Sequence, residues 1–370
     1  MSKFAFILHP ISARDVGRKY MLARILPDPI VEGIMGLMPA QVISRITGVE
    51  SPTGAQTEGW FVGCTLTTRQ FIQRKEKRTV PKVIEAAELA QNLGAQIIGL
   101  GAFTAVVGDG GQQVADAIDV GVTTGNSYTV ATAVQGALRG AEVMGIDPSQ
   151  ATCAVMGATG SIGRVCAHLL AEDVERLVLI GRRKDGLEQV AGEVSGIGAG
   201  VEISLSPGES LSQAHMVVTV TSALDAVIEP DMLRPGAVVC DVARPRDVSV
   251  AVSQQRDDVL VIEGGSVAVP GKDLNFRFNF GFPPGTAYAC MAETMLLALE
   301  GHTEDYSLGK RLTVERVREI SELADRHGFT LAGFRSFERA VDDETIQRIR
   351  ERAVQCGASL GEARPIDGRV

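Results

Sequence analysis

Aromatic residues are scarce in this sequence. Its 370 residues include 1 Trp, 4 Tyr and 12 Phe, against 41 Gly. Little aromatic surface and much glycine are typical of an α/β protein with many turns. The 6 cysteines are scattered and lie mostly within apolar runs. Their placement excludes a disulfide framework and predicts a reduced, cytoplasmic protein.

Metal-ligating clusters and long hydrophobic runs are also missing. The 5 histidines are far apart, and no Cys/His cluster has the spacing of a metal site, so none is predicted. The longest weakly polar run, 94–108, is shorter than the ~20 residues a membrane-spanning helix needs. The N-terminal apolar run before His9 is too short for a signal peptide. A net charge of −9 argues against nucleic acid as a partner.

The most informative segment that is present runs from 151 to 170. An apolar run, predicted to be a strand, leads into a turn with glycines every third residue, and a helical pattern follows. Such a strand, turn and helix N-terminus form a cradle for the pyrophosphate of a dinucleotide. The spacing is G-x-x-G-x-x-G instead of G-x-G-x-x-G, so the motif depends on its context. The predicted cofactor contacts here are Gly157, Thr159, Gly160, Ser161, Ile162 and Gly163.

The charge after the next predicted strand, Leu177–Ile180, indicates which dinucleotide binds. An NAD enzyme would place an acidic residue there, whereas this chain has Arg182, Arg183 and Lys184. Cations suit the additional 2′-phosphate of NADP. The alternative is a solvated basic loop after an ordinary glycine turn. We predict NADP, used as NADPH, with Arg182 and Arg183 as contacts.

Strand signals alternate with helical segments between 151 and 265, which predicts a Rossmann-type, doubly wound parallel sheet. Thr221 and Ser222 end the fourth of these strands and are expected to face the nicotinamide, because ligands lie beyond the carboxyl ends of the strands. The whole chain is therefore predicted to be α/β. The predicted parts are an N-terminal α/β substrate domain (1–148), an NADP-binding domain (149–282), a C-terminal helical segment (283–360) and a disordered tail (361–370).

Cys290 is the cysteine whose setting suggests chemistry. The segment 283–286, PPGT, predicts a helix start with Thr286 as N-cap, which puts Cys290 about one turn into the helix. A helix N-terminus favours a thiolate and offers N–H groups to a developing oxyanion. The alternative is a small buried residue, since free cysteine is among the most buried residue types.

The chain resembles the long-chain fatty acyl-[acyl-carrier-protein] reductases of the cyanobacterial type, which reduce an acyl thioester to an aldehyde. One departure is Tyr128, where the family usually has histidine. The matching stretches are GAFTAVV (101–107), TTGNSYT (123–129), GIDPSQATCAVMGATGSIG (145–163), EGG (263–265), ACMAETMLLALEG (289–301) and RHGF (326–329).

The resemblance implies that Cys290 carries the acyl group as a thioester, and that fatty acyl-ACP or acyl-CoA is the substrate. Covalent catalysis of this kind needs oxyanion donors. Our candidates are Asn126 and Tyr128, with Ser222 near the nicotinamide. Asn126 could instead be a helix N-cap, and Tyr128 could be a packing residue.

Two other functions remain open from the sequence. One is an NADP-dependent dehydrogenase similar to shikimate/quinate dehydrogenase or glutamyl-tRNA reductase, which place a Rossmann domain behind an α/β substrate domain. The other is a non-catalytic NADP-binding redox sensor in which Cys290 is merely oxidised.

An acidic protein needs a local basic patch to meet an acidic acyl carrier protein, because the Debye length at physiological salt is about 8 Å. The densest basic cluster precedes a predicted helix in the N-terminal domain. A solvated helix start is the alternative for this cluster. The predicted docking residues are Arg69, Arg74, Lys75, Lys77 and Arg78.

Overall fold

The structure is a computed structural model of the 370-residue chain. It describes residues 1–16, 23, 25–223, 225–279, 281–309 and 312–364, except for the side chain of Arg14.

The strands and helices are numbered in chain order. The strands are β1 Lys3–Leu8, β2 Gln41–Glu50, β3 Gln56–Gly63, β4 Ile97–Leu100, β5 Gly121–Thr123, β6 Thr152–Met156, β7 Arg176–Ile180, β8 Gly200–Ser204, β9 Met216–Thr219, β10 Val238–Asp241, β11 Leu260–Glu263, β12 Ser266–Ala268, β13 Thr286–Tyr288, β14 Thr330–Leu331, β15 Phe334–Ser336 and β16 Arg339–Val341. The helices are α1 Ala13–Val16, α2 Asp28–Leu37, α3 Thr68–Gln73, α4 Glu76–Asn92, α5 Val107–Gly110, α6 Gln112–Ala115, α7 Asn126–Met144, α8 Ser161–Leu170, α9 Lys184–Val194, α10 Pro207–Leu211, α11 Val250–Gln255, α12 Ala289–Leu299, α13 Val314–His327 and α14 Asp343–Gln355.

The chain forms two compact units, and neither is a single continuous stretch. Unit 1 consists of Met1–Asn126, Val269–Arg311 and Glu322–Phe329. Unit 2 consists of Ser127–Ala268, Leu312–Ser321 and Thr330–Val370. Helix α12, which carries Cys290, therefore belongs to the same unit as the N-terminal strands. The domain boundaries predicted at 148 and 282 assume that each domain is one continuous stretch of the chain. These boundaries stay predictions.

Unit 1 is built on a sheet in the order β2-β3-β1-β4-β5. Strands β1, β3, β4 and β5 are parallel, and β2 pairs antiparallel with β3. The four parallel strands have their carboxyl ends at one edge of the sheet, called here the carboxyl edge of unit 1.

Helices cover both faces of this sheet because its side chains alternate. Ala5 and Ile7 of β1 are buried in a core cluster with Val83 and Ala87 of α4. Phe6, between them in sequence, points to the other face, where α12 packs against β1 and β4. Strands buried on both faces read as continuous apolar runs, which is why they could be predicted from the sequence.

The RHGF stretch closes unit 1 through a buried histidine. The ring of His327 bonds through Nδ1 to the Ser51 hydroxyl (2.9 Å) and through Nε2 to the Glu300 carboxylate (2.6 Å). Arg326 donates a second hydrogen bond to the same carboxylate, at 3.0 Å. These hydrogen bonds hold the pKa of Glu300 below its usual value, against the opposing effect of burial. His327 thus joins the end of α12 to the loop after β2.

Unit 2 contains a fully parallel six-stranded sheet in the order β11-β10-β9-β6-β7-β8. Strand β6, the first of the six along the chain, is central. Strands β7 and β8 lie on one side of it, and β9, β10 and β11 lie on the other. That is the strand order of the dinucleotide-binding Rossmann fold. All six strands predicted between 151 and 265 are present, and the predicted fold class is confirmed.

Both faces of the unit 2 sheet are covered. One face packs in an apolar cluster that includes Leu211 of α10, Val252 of α11, and Leu233 from the segment between β9 and β10. Helix α7 lies on the other face, where Gly140 permits a close approach. A β-carbon on Gly140 would lie 2.7 Å from Val238 Cγ1. The sheet is therefore doubly wound, as predicted.

The C-terminal segment differs from the prediction at its start. A helix was expected from about Phe337, but Phe337 and Glu338, with φ of 47° and 69°, form the turn of a hairpin between β15 and β16. Helix α14 begins only at Asp343, capped by the Asp342 side chain, which accepts from the Thr345 N–H at 2.9 Å. Of the predicted tail, 361–370, the structure describes only residues 361–364. In this part, the Gly361 N–H donates to the Gly145 carbonyl at 2.8 Å.

Candidate active site and cofactor site

The TTGN stretch lies at the carboxyl edge of unit 1. Strand β5 ends at Thr123, and the chain turns at Thr124 and Gly125 before α7 begins at Asn126. Ligands of parallel α/β sheets bind beyond the carboxyl ends of their strands. This turn is therefore where a substrate of unit 1 is expected.

Gly125 brings Cys290 to the same place. Gly125 has a φ of 74°, and a β-carbon built on it would lie 2.3 Å from both the Cα and the Cβ of Cys290. Side chains need well over 3 Å, so only glycine fits at this position. Two of the stretches that carry the family resemblance, far apart in sequence, thus touch at the carboxyl edge.

Cys290 is the second residue of α12. The helix begins at Ala289, and its N-cap, Tyr288, makes no side-chain capping bond. The prediction of Thr286 as N-cap was wrong. The Thr286 N–H closes a turn on the Pro283 carbonyl, and residues 286–288 are extended. The correction moves the thiol closer to the helix N-terminus, where the dipole favours a thiolate.

The burial of the other cysteines sets Cys290 apart. Burial raises the pKa of Cys64 to about 11 and that of Cys153 and Cys166 to about 12, and it also raises the pKa of Cys240. These thiols stay protonated and inert at neutral pH. Cys290 is only partly buried, and Cys356 is exposed on the surface.

A buried carboxylate that the sequence analysis did not single out supports this turn. Glu293, one helical turn after Cys290, is fully buried and accepts a 2.5 Å hydrogen bond from the Thr123 hydroxyl. The oxygen of Thr123 in turn accepts from the N–H groups of Gly125 and Ser307, each at 3.3 Å. The signal for Glu293 was present in the sequence, because it is a lone acidic residue within the apolar run ACMAETMLLAL.

A second glycine fixes α12 on the sheet. A β-carbon on Gly99 would lie 2.0 Å from the Thr294 hydroxyl oxygen and 2.5 Å from the Phe6 ring. The Thr294 hydroxyl donates to the Cys290 carbonyl at 3.1 Å. The helix that carries the thiol is therefore seated directly on β4.

The predicted oxyanion donors differ in exposure. Asn126 follows Gly125 directly and is partly exposed. Tyr128 is only 2% exposed. The catalytic roles of Asn126, Tyr128 and Ser222 stay predictions.

Unit 2 has the geometry of a pyrophosphate cradle after β6. Gly157 has a φ of 84°, and a β-carbon there would lie 2.9 Å from the Val220 carbonyl oxygen. A β-carbon on Gly163 would lie 2.4 Å from the Gly157 carbonyl oxygen. No side chain caps α8 at Gly160, which leaves the N-terminus of this helix able to donate to an anion. These residues fit a dinucleotide.

The basic loop after β7 lies beside this cradle. A β-carbon on Gly186 would be 3.0 Å from Thr159 Cγ2 and 3.7 Å from a guanidinium nitrogen of Arg183. Arg182 and Arg183 are exposed. Lys184 pairs with Glu188 at 3.4 Å. The structure thus brings together the cofactor contacts predicted from two separate loops.

Thr221 lies two residues after the end of β9 and is already hydrogen-bonded. Its hydroxyl donates to Asp247 Oδ1 at 2.5 Å, and its N–H donates to Asp247 Oδ2 at 2.9 Å. Asp247 is fully buried and was not foreseen from the sequence. Ser222 is exposed next to this pair. Asp247 therefore fixes the turn that follows β9.

A second buried carboxylate, Asp241, ends β10. It accepts from the N–H groups of Ala243 and Val248, each at 3.0 Å. Burial raises its pKa to about 6, because the hydrogen bond from the Val248 N–H and the nearby positive charge of Arg244 only partly offset desolvation.

Of the predicted docking cations, Arg69 lies in the first turn of α3, whereas Arg74, Lys75, Lys77 and Arg78 lie between the end of α3 and the first turn of α4. Arg69, Lys75, Lys77 and Arg78 are exposed, and Arg74 is partly buried. In the described part of the chain, no group of three His, Cys, Asp or Glu residues could hold a metal ion. None of its helices is long and apolar enough to cross a membrane.

The parallel sheet and glycine cradle of unit 2 define a dinucleotide-binding fold. Together with the family matches given next, they define the class: the protein is an NAD(P)-dependent oxidoreductase. The family model described as shikimate/quinate 5-dehydrogenase matches residues 141–263. The crystal structure of L-tryptophan dehydrogenase from Nostoc punctiforme is similar at a TM-score of 0.41, with 11% identity, covering 96% of this chain and 88% of that one.

Two curated relatives resemble most of the chain. The long-chain acyl-[acyl-carrier-protein] reductase of Synechococcus elongatus is 32% identical over 306 residues, which cover 79% of this chain and 87% of that protein. The chain belongs to the family of this reductase. Aminotransferase PigE of Serratia sp. is 31% identical over 366 residues, which cover 94% of this chain. The chain spans 42% of the length of PigE.

Proposed function

We propose that the protein reduces a long-chain fatty acyl thioester to a fatty aldehyde, with NADPH as reductant and Cys290 as nucleophile. The observation that carries this proposal is the contact between Gly125 and Cys290. It places a partly exposed thiol in the first turn of α12 and at the carboxyl edge of unit 1.

The first step transfers the acyl group to the enzyme. The Cys290 thiolate attacks the thioester carbonyl carbon, a new carbon–sulfur bond forms, and the bond to the carrier thiolate breaks. The carrier thiolate leaves and takes up a proton. First-turn N–H groups of α12 and the Asn126 side chain are the proposed donors to the oxyanion of the tetrahedral intermediate.

The second step releases the aldehyde. When bound, NADPH would supply the hydride that adds to the acyl carbonyl carbon and would leave as NADP⁺. The resulting tetrahedral species then expels the Cys290 thiolate, which frees the aldehyde and restores the nucleophile. Gly157, Gly160 and Gly163 would hold the pyrophosphate, and Arg182 and Arg183 the 2′-phosphate.

Acyl-ACP is the proposed acyl donor because the Synechococcus elongatus relative is named for it, and acyl-CoA is the alternative. Docking of the carrier at Arg69, Arg74, Lys75, Lys77 and Arg78 stays a prediction, as does a cytoplasmic location. A dehydrogenase of the shikimate/quinate type is less well supported, since the matching family model covers only 141–263 and leaves out Cys290.

The test is an acyl adduct on Cys290. The protein is incubated with a long-chain acyl-CoA in the absence of NADPH and analysed by intact mass and peptide mapping. Cys290→Ala is compared with Cys356→Ala, which removes a thiol exposed elsewhere. We expect the adduct and aldehyde formation to vanish in the first variant only, with NADPH binding retained in both.

Wild-type turnover by Cys290→Ala would refute the covalent mechanism. Alcohol oxidation without any thioester reduction would point to a dehydrogenase. NADPH binding without turnover of any acyl thioester would point to a redox sensor.

A further inference from the structure

Phenylalanine is concentrated directly before the helix that carries Cys290. The chain has only 12 phenylalanines, and four of them, Phe276, Phe278, Phe280 and Phe282, follow one another at every second position. A chain that is poor in aromatic residues thus places a third of its phenylalanines next in sequence to its proposed nucleophile. Such a concentration indicates an aromatic surface with a purpose at this place in unit 1.

The first of these rings pack on the face of the unit 1 sheet that α12 covers. The rings of Phe276 and Phe278 lie 6.0 and 6.4 Å from that of Phe61 in β3. Phe61 pairs in register with Phe6 of β1, so both side chains point to the face on which α12 lies. Phe276 is buried, whereas Phe278 is partly exposed. Phe278 therefore lies on the same side of the sheet as the thiol helix.

The last ring reaches the N-terminus of α12 itself. The Phe282 ring lies 4.4 Å from the Tyr288 ring in an edge-to-face arrangement, with an angle of 79° between the planes. Tyr288 is the N-cap of α12, two residues before Cys290. Phe282 and Tyr288 are both partly exposed. Apolar aromatic surface thus stands at the same end of the helix as the thiol.

The backbone before Phe278 is held in one shape. Arg277 has a φ of 51°, in the left-handed region that costs free energy for a residue other than glycine. Its N–H donates to the Asn275 side-chain oxygen at 2.8 Å. Asn275 also exchanges two backbone hydrogen bonds with Thr47 of β2, at 3.1 and 2.9 Å. Strain that is maintained in this way is found mostly at ligand-binding sites.

We propose that Phe278 and Phe282 line the subsite for the acyl chain of the substrate. Phe282 contacts the carbons next to the thioester carbonyl, and Phe278 contacts carbons further along the chain. The inference rests on the proposed function, because the carbonyl carbon has to reach the Cys290 sulfur. From that point an aliphatic chain gains free energy by leaving water for apolar surface. Ligand sites are lined mainly by aromatic and aliphatic side chains.

The acyl chain suits this surface better than the other arm of the thioester does. The pantetheine arm that leads to the carrier contains amide groups and ends in a phosphate. Such groups lose free energy when they are buried without hydrogen-bond partners. Aromatic rings offer few partners of this kind, whereas they exclude water from a hydrocarbon chain. Phe278 and Phe282 are therefore expected to set the chain length that the protein accepts.

The test is the chain-length dependence of Cys290 acylation, measured by intact mass with butyryl-CoA and dodecanoyl-CoA. Each methylene that becomes buried should raise the wild-type rate about fourfold. Phe278→Ala/Phe282→Ala should slow acylation by dodecanoyl-CoA at least about tenfold, and acylation by butyryl-CoA less than about twofold. Phe282→Leu, which keeps apolar surface, should retain most of the wild-type preference. Iodoacetamide, which has no acyl chain, should alkylate Cys290 equally fast in every variant.

The matched control is Phe337→Ala, which removes a partly exposed phenylalanine of unit 2. Its chain-length dependence should equal that of the wild type. An equal loss on both thioesters in Phe278→Ala/Phe282→Ala, or an unchanged chain-length dependence, would overturn the subsite. The proposed function would stand in either case, because the wild-type thiol would still be acylated.

A binding measurement separates the subsite from the chemistry. Calorimetric titration of both thioesters into the Cys290→Ala protein measures the preference for the longer chain in the absence of acylation. We expect a preference for dodecanoyl-CoA that disappears when Phe278→Ala/Phe282→Ala is added. If the wild type were acylated by neither thioester, the proposed function would fail, but this preference and its loss would still support the subsite. A Cys290→Ala protein that binds both thioesters equally would overturn it.

Discussion

Gly125 and Cys290 touch through their backbones: a β-carbon on Gly125 would lie 2.3 Å from the Cα and the Cβ of Cys290. The contact joins the turn after β5 to the first turn of α12. Adding a single side-chain atom to Gly125 would make it collide with Cys290. The nucleophile proposed for this protein is thus positioned by a residue that has no side chain.

We therefore predict that Gly125→Ala disables acylation of Cys290. The added methyl group must displace the backbone of α12, and a shift of about 1 Å at a reacting group can cost about 100-fold in rate. Gly54→Ala is the matched control, because Gly54 has a φ of 86° and nothing within 4 Å of an added β-carbon. It introduces the same backbone strain without the clash.

The measurement is the rate of acyl adduct formation from acyl-CoA, by mass spectrometry, with NADPH binding as a check on unit 2. We expect a loss of at least about 100-fold in Gly125→Ala and an almost normal rate in Gly54→Ala. Equal rates in both variants would mean that the Gly125 contact has no part in positioning the thiol.

The buried pair formed by Thr123 and Glu293 gives a second prediction. Thr123→Val removes the hydroxyl that donates to Glu293 and accepts from Gly125 and Ser307. Leaving such buried groups without this partner should cost about 1–3 kcal/mol of the free energy of unfolding. Acylation of Cys290 should slow as well, because the turn that carries Gly125 loses its support.

The control is Thr132→Val. Thr132 is also buried, but its hydroxyl bonds only to carbonyls of its own helix, and such bonds contribute little. Denaturant unfolding and adduct kinetics should separate the two variants. If Thr123→Val is as stable and as fast as Thr132→Val, the Thr123–Glu293 bond is not a support of the site.

The sequence predicted the dinucleotide sheet well, because its strands are buried on both faces and are separated by clear glycine turns. The site in unit 1 was harder to foresee. The closeness of Gly125 and Cys290 is a consequence of the order β1-β4-β5 and of α12 returning to this sheet from far along the chain. Local patterns also could not identify Asp247, since its partners Thr219 and Thr221 are known only once β9 and the following turn are placed.

The start of α12 shows where local reasoning failed. The PPGT pattern made Thr286 a natural N-cap, but residues 286–288 are extended and the N-cap is Tyr288, two residues later. A pattern of capping residues says where a helix is able to begin. The tertiary environment of the preceding residues decides where it does begin.

The basic loop after β7 gives a third prediction. Arg183 lies near Thr159 of the glycine cradle, and Arg182 precedes it in the same exposed loop, so the protein should bind NADPH more tightly than NADH. Arg182→Ala should weaken NADPH binding by about 10- to 150-fold, the equivalent of a charge-assisted hydrogen bond of about 1.5–3 kcal/mol, and leave NADH almost unchanged. Arg176→Ala, which loses an exposed pair with Glu202 at the amino end of β7, should change neither affinity.

Fluorescence titration of both cofactors into the wild type and the two variants measures these affinities. Equal affinity of the wild type for NADPH and NADH would contradict an NADP site.

The last prediction concerns Asp241, whose pKa is raised by burial from 3.8 to about 6. Because the folded state holds this proton more tightly than the unfolded state, the stabilising contribution is complete below pH ~4 and is lost as the pH rises to about 6. The wild type should therefore lose about 3 kcal/mol of the free energy of unfolding through this group, at 1.36 kcal/mol per pKa unit. Asp241→Asn, which stays neutral, should lack this component of the pH dependence, whatever its absolute stability.

The control is Asp257→Asn, since Asp257 is exposed and pairs with Arg352 at the surface. Denaturant unfolding at several pH values between 4 and 7.5 gives the difference between each variant and the wild type. A difference for Asp241→Asn that stays constant across this range would show that Asp241 titrates in the folded protein as it does in the unfolded chain.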